Sequence, residues 1–219
     1  MIEYDIIGAF RESVDCPVCT VVAECADKYI KWFLMENYSQ SSTLLNLSEG
    51  GFCRDHAYKI AGLASHQLSV TYDFIIKDLT DKMAKARGNP PDKTPSRGKR
   101  EKQRFDILKR QKPCPLCETI EFYEKYASRV AVQLLSEAQY RDLYRKSTGL
   151  CRDHLLQVLE LATPELEDFL LDEYSSRLDE LSAEFQEYFR KLDYKNAAEP
   201  RGAEQDAWKR AVNLIHGKP

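Results

Sequence analysis

Six of the seven cysteines and two of the four histidines in this 219-residue chain fall on one register. Cys16-Pro-Val-Cys19 is followed, after 33 residues, by Cys53-Arg-Asp-His56. Cys114-Pro-Leu-Cys117 is followed, after 33 residues, by Cys151-Arg-Asp-His154. Each of these residues in the first half lies 98 positions before its counterpart in the second. Three cysteine thiolates and one imidazole form a closed tetrahedral ligand set for zinc. The pattern therefore points to two zinc ions per chain, with Cys16, Cys19, Cys53, His56, Cys114, Cys117, Cys151 and His154 as ligands. Pairing within each half is expected, because closing a shorter loop costs less chain entropy. Exchange of ligands between halves or between chains is the alternative.

Four protein donors fill the coordination shell, whereas a catalytic zinc keeps a position open for water. A structural ion is the expectation; the reading leans away from an enzyme, and no catalytic residue is assigned. An iron–sulfur cluster is the minority alternative, since histidine can replace cysteine on such clusters. The Cys-Pro-x-Cys pairs also resemble the dithiol of thioredoxin-like proteins. That use leaves Cys53 and His56 without a role and needs a βαβ setting that the pattern lacks. A thiol-redox or metal-responsive protein working through these cysteines is the second functional reading. Three thiolates around a divalent ion leave one negative charge. Arg54 and Arg152 are expected to offset it, and Asp55 and Asp153 to hold a histidine or complement a helix start. Cys25 has no counterpart and reads as a buried thiol. His66 and His216 do not repeat, and no phosphate-binding loop or nucleophile–base signature is present.

The elements that must position these ligands read as helices. After Pro17, apolar residues recur at steps of three and four through Val22, Cys25, Tyr29, Trp32 and Phe33. Proline suits the first helical position, which makes Cys16 an N-cap and places Cys19 in the first turn. Cys114 and Cys117 repeat that arrangement. Gly51 and Gly149 predict turns, after which Cys53 and Cys151 open short helices with the histidine three residues on, on the same face. Ser65 and Thr163 predict fresh helix starts, with longer helices near 66–86 and 164–194. In the latter, Leu171, Tyr174, Leu178, Leu181, Phe185, Tyr188 and Leu192 form a coiled-coil-like seam. The seam packs within the chain or forms a homodimer contact through 164–194. The tail after 196 is expected to hold one short amphipathic helix, with Trp208, Val212 and Ile215 facing inward or toward a partner.

Apolar residues make up 43% of the chain, enough for a substantial core. A net charge of −3 with 31% charged residues argues against a nucleic-acid binder that works by bulk charge. The Pro/Gly-rich basic stretch KARGNPPDKTPSRGKREKQ reads as a tether. Action on nucleic acid through that stretch is the third and weakest functional reading, because no aromatic residues are interleaved for base stacking. No apolar run approaches the roughly 20 residues of a membrane span. The acidic start MIEYDIIGAF has no signal-like pattern, so a cytoplasmic protein is expected.

The paired CPVC…GFCRDHA and CPLC…GLCRDHL motifs resemble a family of small prokaryotic proteins with duplicated CPxC…CxxH motifs. The resemblance implies a helical metal-binding protein and carries no assigned activity. Together these readings predict an all-α, internally duplicated helical bundle whose two similar halves each carry a Cys3His zinc site. The duplication covers roughly 4–86 and 102–184. The expected organisation is a first repeat at 1–86, a linker at 87–101, a second repeat at 102–195 and a tail at 196–219. An unidentified protein partner, or a second copy of the chain, is expected.

Overall fold

The computed structural model describes residues 2–12, 15–35, 37–88, 105–196 and 198–218. Most of the basic linker, 89–104, lies outside the described residues. Every regular element among the described residues is helical. The helices are α1 (Ile2–Glu12), α2 (Pro17–Met35), α3 (Ser41–Glu49), α4 (Arg54–Ala61) and α5 (Ser65–Gly88). They continue with α6 (Pro115–Leu135), α7 (Ala138–Lys146), α8 (Arg152–Leu159), α9 (Pro164–Lys191) and α10 (Ala207–His216). The starts of α2 and α6, and of α4 and α8, keep the 98-residue spacing of the cysteines. No described helix is long and apolar enough to cross a membrane.

The helix starts are where the sequence pattern acts most directly. The carbonyls of Cys16, Cys53, Cys114 and Cys151 accept the N–H groups of Thr20, Ala57, Glu118 and Leu155 at 3.0, 2.9, 3.0 and 2.8 Å. Each cysteine thus occupies the N-cap of its helix. Gly51 and Gly149 have φ of +66° and +79°, the left-handed region that glycine enters without a Cβ penalty. Each turns the chain into a buried apolar residue, Phe52 or Leu150, that directly precedes a cysteine N-cap.

The chain divides into two compact units, Cys25–Glu121 and Met1–Glu24 with Phe122–Pro219. The divisions fall inside α2 and α6. In Cys25–Glu121 the core gathers Ile30, Phe33, Leu47, Phe52, Ile60 and Leu116. Phe33 and Phe52 meet edge to face with centroids 5.3 Å apart, and each such buried side chain contributes roughly 1.5–3 kcal/mol. The turn before Cys53 is therefore fastened to the last part of α2. Segment 105–113 packs beside it: Arg110 Nη2 donates to the Phe52 carbonyl at 3.0 Å and the Gln111 amide to the Glu49 carbonyl at 2.7 Å.

In the other unit Tyr144 is fully buried and organises the turn before Cys151. Its hydroxyl accepts the Leu150 amide at 3.4 Å. Its ring meets Phe10 at 5.9 Å, and the Arg177 guanidinium lies 4.8 Å above it. Arg177 Nη2 also donates to the Tyr144 carbonyl at 2.9 Å. Burial pushes the Tyr144 hydroxyl up to about 12, so it stays protonated.

Of the residues expected to form the seam of α9, Tyr174, Leu181, Phe185 and Tyr188 are half-buried and Leu171, Leu178 and Leu192 are exposed. The buried residues of the helix, Leu166, Phe169 and Leu170, lie before the seam. The Tyr174 hydroxyl donates to the Leu214 carbonyl of α10 at 3.3 Å. In α10, of the three residues expected to face inward or toward a partner, only Ile215 is half-buried. Trp208 and Val212 are exposed, and Ala207 and Leu214 are buried. The helix begins at Ala207, so positions 207, 211 and 214 share the inner face. The approach to α10 is anchored by Glu204, whose carboxylate accepts the Gly202 amide at 2.8 and 3.0 Å and Lys191 Nζ at 3.1 Å. The Gly202 amide, and then Lys191, hold that carboxyl at about 2.

A Cβ on Gly50 would stand 2.5 Å from the Lys112 carbonyl oxygen and 2.9 Å from that of Pro113, both backbone atoms. Gly50→Ala is therefore expected to destabilise the protein by about 1–3 kcal/mol, read as a lower urea midpoint. Gly8→Ala, with nothing within 4 Å, serves as the control and leaves the midpoint near wild type or raises it.

Candidate metal centres

The eight repeated cysteines and histidines meet in two groups of four. Cys16, Cys19, Cys151 and His154 form one; Cys53, His56, Cys114 and Cys117 form the other. In each, the candidate donor atoms all lie within 4.8 Å of one another. Each group belongs to one compact unit. Each also joins the Cys-Pro-x-Cys of one sequence half to the Cys-Arg-Asp-His of the other.

This corrects the expected pairing within halves. Loop entropy does favour pairing within halves, but weakly. Lengthening a closed loop from about 34 to about 132 residues costs only about 1 kcal/mol. Packing outweighs it. Phe52 sits on Phe33, in the part of α2 that belongs to the Cys25–Glu121 unit. Cys53 is thus held toward the far end of α2, where Cys114 arrives, while α8 carries Cys151 to Cys19.

Backbone contacts seat the paired turns alike. In the His56 set, Gly50 lies against the carbonyls of Lys112 and Pro113, just before Cys114. In the His154 set, Thr148 Oγ1 donates to the Asp15 carbonyl, just before Cys16, at 2.7 Å. Residues 50 and 148 occupy equivalent positions in the 98-residue register, as do 113 and 15.

The spacing suits a single ion. A zinc tetrahedron with the usual bond lengths has sulfur–sulfur edges of about 3.8 Å and sulfur–nitrogen edges of about 3.6 Å. Cys19 Sγ and Cys151 Sγ are 3.8 Å apart, and Cys117 Sγ and Cys53 Sγ 3.7 Å. His154 Nδ1 lies 3.4, 3.3 and 3.2 Å from the sulfurs of Cys16, Cys19 and Cys151. His56 Nδ1 lies 3.3, 3.4 and 3.3 Å from those of Cys53, Cys114 and Cys117. All seven cysteines are free thiols, and two Cys3His groups that could bind metal ions are in place.

The two groups differ in their surroundings. All four residues of the His154 set are buried, whereas Cys53, His56 and Cys117 are half-buried and only Cys114 is buried. His154 Nε2 lies 3.0 Å from Glu124 Oε1 in α6, a carboxylate that fixes the ring and leaves Nδ1 for the sulfurs. The register counterpart of Glu124 is Ala26. Sequence reasoning missed Glu124, because nothing in the local sequence marks it among the acidic residues of α6. The Arg-Asp pairs open α4 and α8, which puts Asp55 and Asp153 in the first helical turn, the second of the two roles expected for them. Arg54, Asp55, Arg152 and Asp153 are exposed, and Arg152 Nε pairs with Asp153 Oδ1 at 3.5 Å. Position 55 contributes its backbone N–H instead, which helps to stabilise the Cys53 thiolate. His66 stands beside Tyr38, and His216 is exposed at the end of α10.

The thiols of each group diverge in acidity. Burial, then the Cys151 and Cys19 thiols, push Cys16 well up. Thiol contacts from Cys16 and Cys19 pull Cys151 far down, against burial. Burial and then Cys53 push Cys117 up to about 12. Burial also opposes ionisation of Cys53, but the N–H groups of His56 and Asp55 and two neighbouring thiols outweigh it. Burial lowers His56, whereas contacts with Cys151 and Cys19 overcome burial at His154 and raise it to about 10. A divalent cation held by these groups would remove this competition by letting all three sulfurs ionise together.

The model of a family of unknown function, DUF6062, matches residues 2–219 of the chain. No curated protein and no solved structure matches it.

The pairing has a direct test in metal content. Cys19→Ala together with Cys151→Ala is expected to remove the same single equivalent as either change alone. Cys19→Ala together with Cys53→Ala is expected to remove two. Pairing within halves predicts the reverse, and elemental analysis of the purified variants decides between them.

Proposed function

Since this chain belongs to the family of unknown function DUF6062, we propose its role from its own donor geometry. It is a zinc-binding helical protein whose ions are structural, serving as a binding or scaffold protein. The observation that carries this is the pair of four-donor groups with edges matching one tetrahedral ion. Zinc accepts this donor set, and four protein ligands leave no position for a reacting water. A single ion suits these distances better than an iron–sulfur cluster, whose cysteines bind different irons. The helix starts that coincide in the 98-residue register support descent from a duplicated unit.

In this reading Cys16, Cys19, Cys151 and His154 hold one ion and Cys53, His56, Cys114 and Cys117 the other. When bound, each ion supplies charge compensation and cross-linking. Three thiolates with a divalent ion carry one net negative charge. The helix N-termini on which the cysteines sit favour that charge through their unpaired N–H groups.

Elemental analysis of the purified protein is expected to give two equivalents of zinc per chain, with no visible absorption. A coloured preparation containing iron would replace zinc in this reading. Complete metal removal is expected to lower the melting temperature strongly and to cost tertiary packing, measured by near-ultraviolet circular dichroism, because the binding energy is part of the folding energy. An unchanged melting curve after removal would leave the ions without a structural role.

A further inference from the structure

The two donor groups use the same residue types but differ in three ways. The first is depth. Cys16, Cys19, Cys151 and His154 are 3%, 7%, 2% and 6% exposed, whereas three of the four residues of the His56 set are half-buried. The second is support of the histidine. Glu124 holds His154 Nε2 at 3.0 Å, and its counterpart in the 98-residue register is Ala26, whose side chain has no acceptor.

The third is cover. Gly217, at φ +70°, lies so close to the His154 set that a Cβ there would stand 2.8 Å from Cys19 Sγ and 3.1 Å from Cys151 Sγ. This C-terminal segment is latched over the sulfurs from both sides of the glycine. Lys218 Nζ meets Asp15 Oδ2 at 2.8 Å, and Asn213 Nδ2 donates to Asp15 Oδ1 at 3.2 Å. Asp15 directly precedes Cys16, so the latch closes on the ligand loop itself. The glycine is required there both by its φ and by the sulfurs, since any side chain would displace one of them.

We propose that the Cys53, His56, Cys114 and Cys117 group is a metal-exchange site, and that the Cys16, Cys19, Cys151 and His154 group is a permanent one. The exchanged species is a thiophilic divalent cation of the zinc type, passed to or from an acceptor bearing thiolate or imidazole donors. Exchange is a substitution. A donor atom of the acceptor takes the place of a cysteine sulfur, which leaves as a thiolate and takes a proton from solvent. No electrons are transferred. Half-exposed Cys53 and Cys117 are where an incoming donor can reach the group, whereas the latched tail denies that approach to the other. Both ions thus fasten the fold, and one of them can also be released.

The inference rests on the two-ion reading, and one experiment separates the two. The full chain is first loaded with zinc and its content measured; fewer than two equivalents would remove the two-ion reading itself. Excess 4-(2-pyridylazo)resorcinol is then added and zinc transfer followed by absorbance. One equivalent is expected to leave at least about tenfold faster than the other. N-ethylmaleimide added after the fast phase, followed by peptide mass mapping, is expected to label Cys53, Cys114 and Cys117 while Cys16, Cys19 and Cys151 stay protected. Release of both equivalents at one rate, or first labelling of Cys16, Cys19 or Cys151, would overturn the assignment. Glu124→Gln and Gly217→Ala are each expected to accelerate the slow phase and leave the fast phase unchanged. A slow phase indifferent to both would overturn the roles given to the brace and the latch.

Discussion

Four cysteines in this chain do two jobs at once, and the rest of the architecture follows from the combination. Cys16, Cys53, Cys114 and Cys151 each start a helix through the backbone and offer a sulfur through the side chain. Each donor group therefore brings together two helix N-termini. Such ends carry partial positive charge and repel each other unless something negative lies between them. Thiolates supply that charge but repel one another in turn, and the divergent thiol acidities in each group express this conflict. A divalent cation held by the three sulfurs and the histidine would resolve both repulsions. Packing, turn glycines and backbone contacts all serve to deliver the two helix starts to one place.

Delivery relies on close backbone approach. Gly50 allows one turn to touch the strand of chain before Cys114, and Thr148 hydrogen-bonds the residue before Cys16. Equivalent positions thus solve the same steric problem by different chemistry. The same divergence appears in the support of His154, where Glu124 has Ala26 as its counterpart in the 98-residue register. The same residue types are set in unlike surroundings, and the surroundings of a metal site control its affinity and access as much as its ligands do. The C-terminal tail adds to this difference, since α10 and Gly217 belong to only one of the two units.

Much of this was legible in the sequence. Helical class, helix starts at Pro17, Pro115, Ser65 and Pro164, and the left-handed turns at Gly51 and Gly149 are local properties. They depend on proline geometry, capping and the missing Cβ of glycine, which act within a few residues. The eight donor residues were also legible, because a shared spacing between chemically suited side chains needs no folding to be seen.

Which donors meet was decided only in three dimensions. Loop entropy favours near neighbours, but weakly and logarithmically, and the contact of Phe52 with Phe33 at the far end of α2 outweighs it. The brace on His154 follows the same rule. The motif suggested Asp153, next in sequence, but on a helix adjacent residues point about 100° apart, so that side chain faces solvent while Glu124 comes from α6. Gly217, 66 residues beyond Cys151, reaches the sulfurs for the same reason. Spacing alone determined which atoms this protein offers; the packing of side chains distant in sequence determined how those atoms are grouped and how far each group is open.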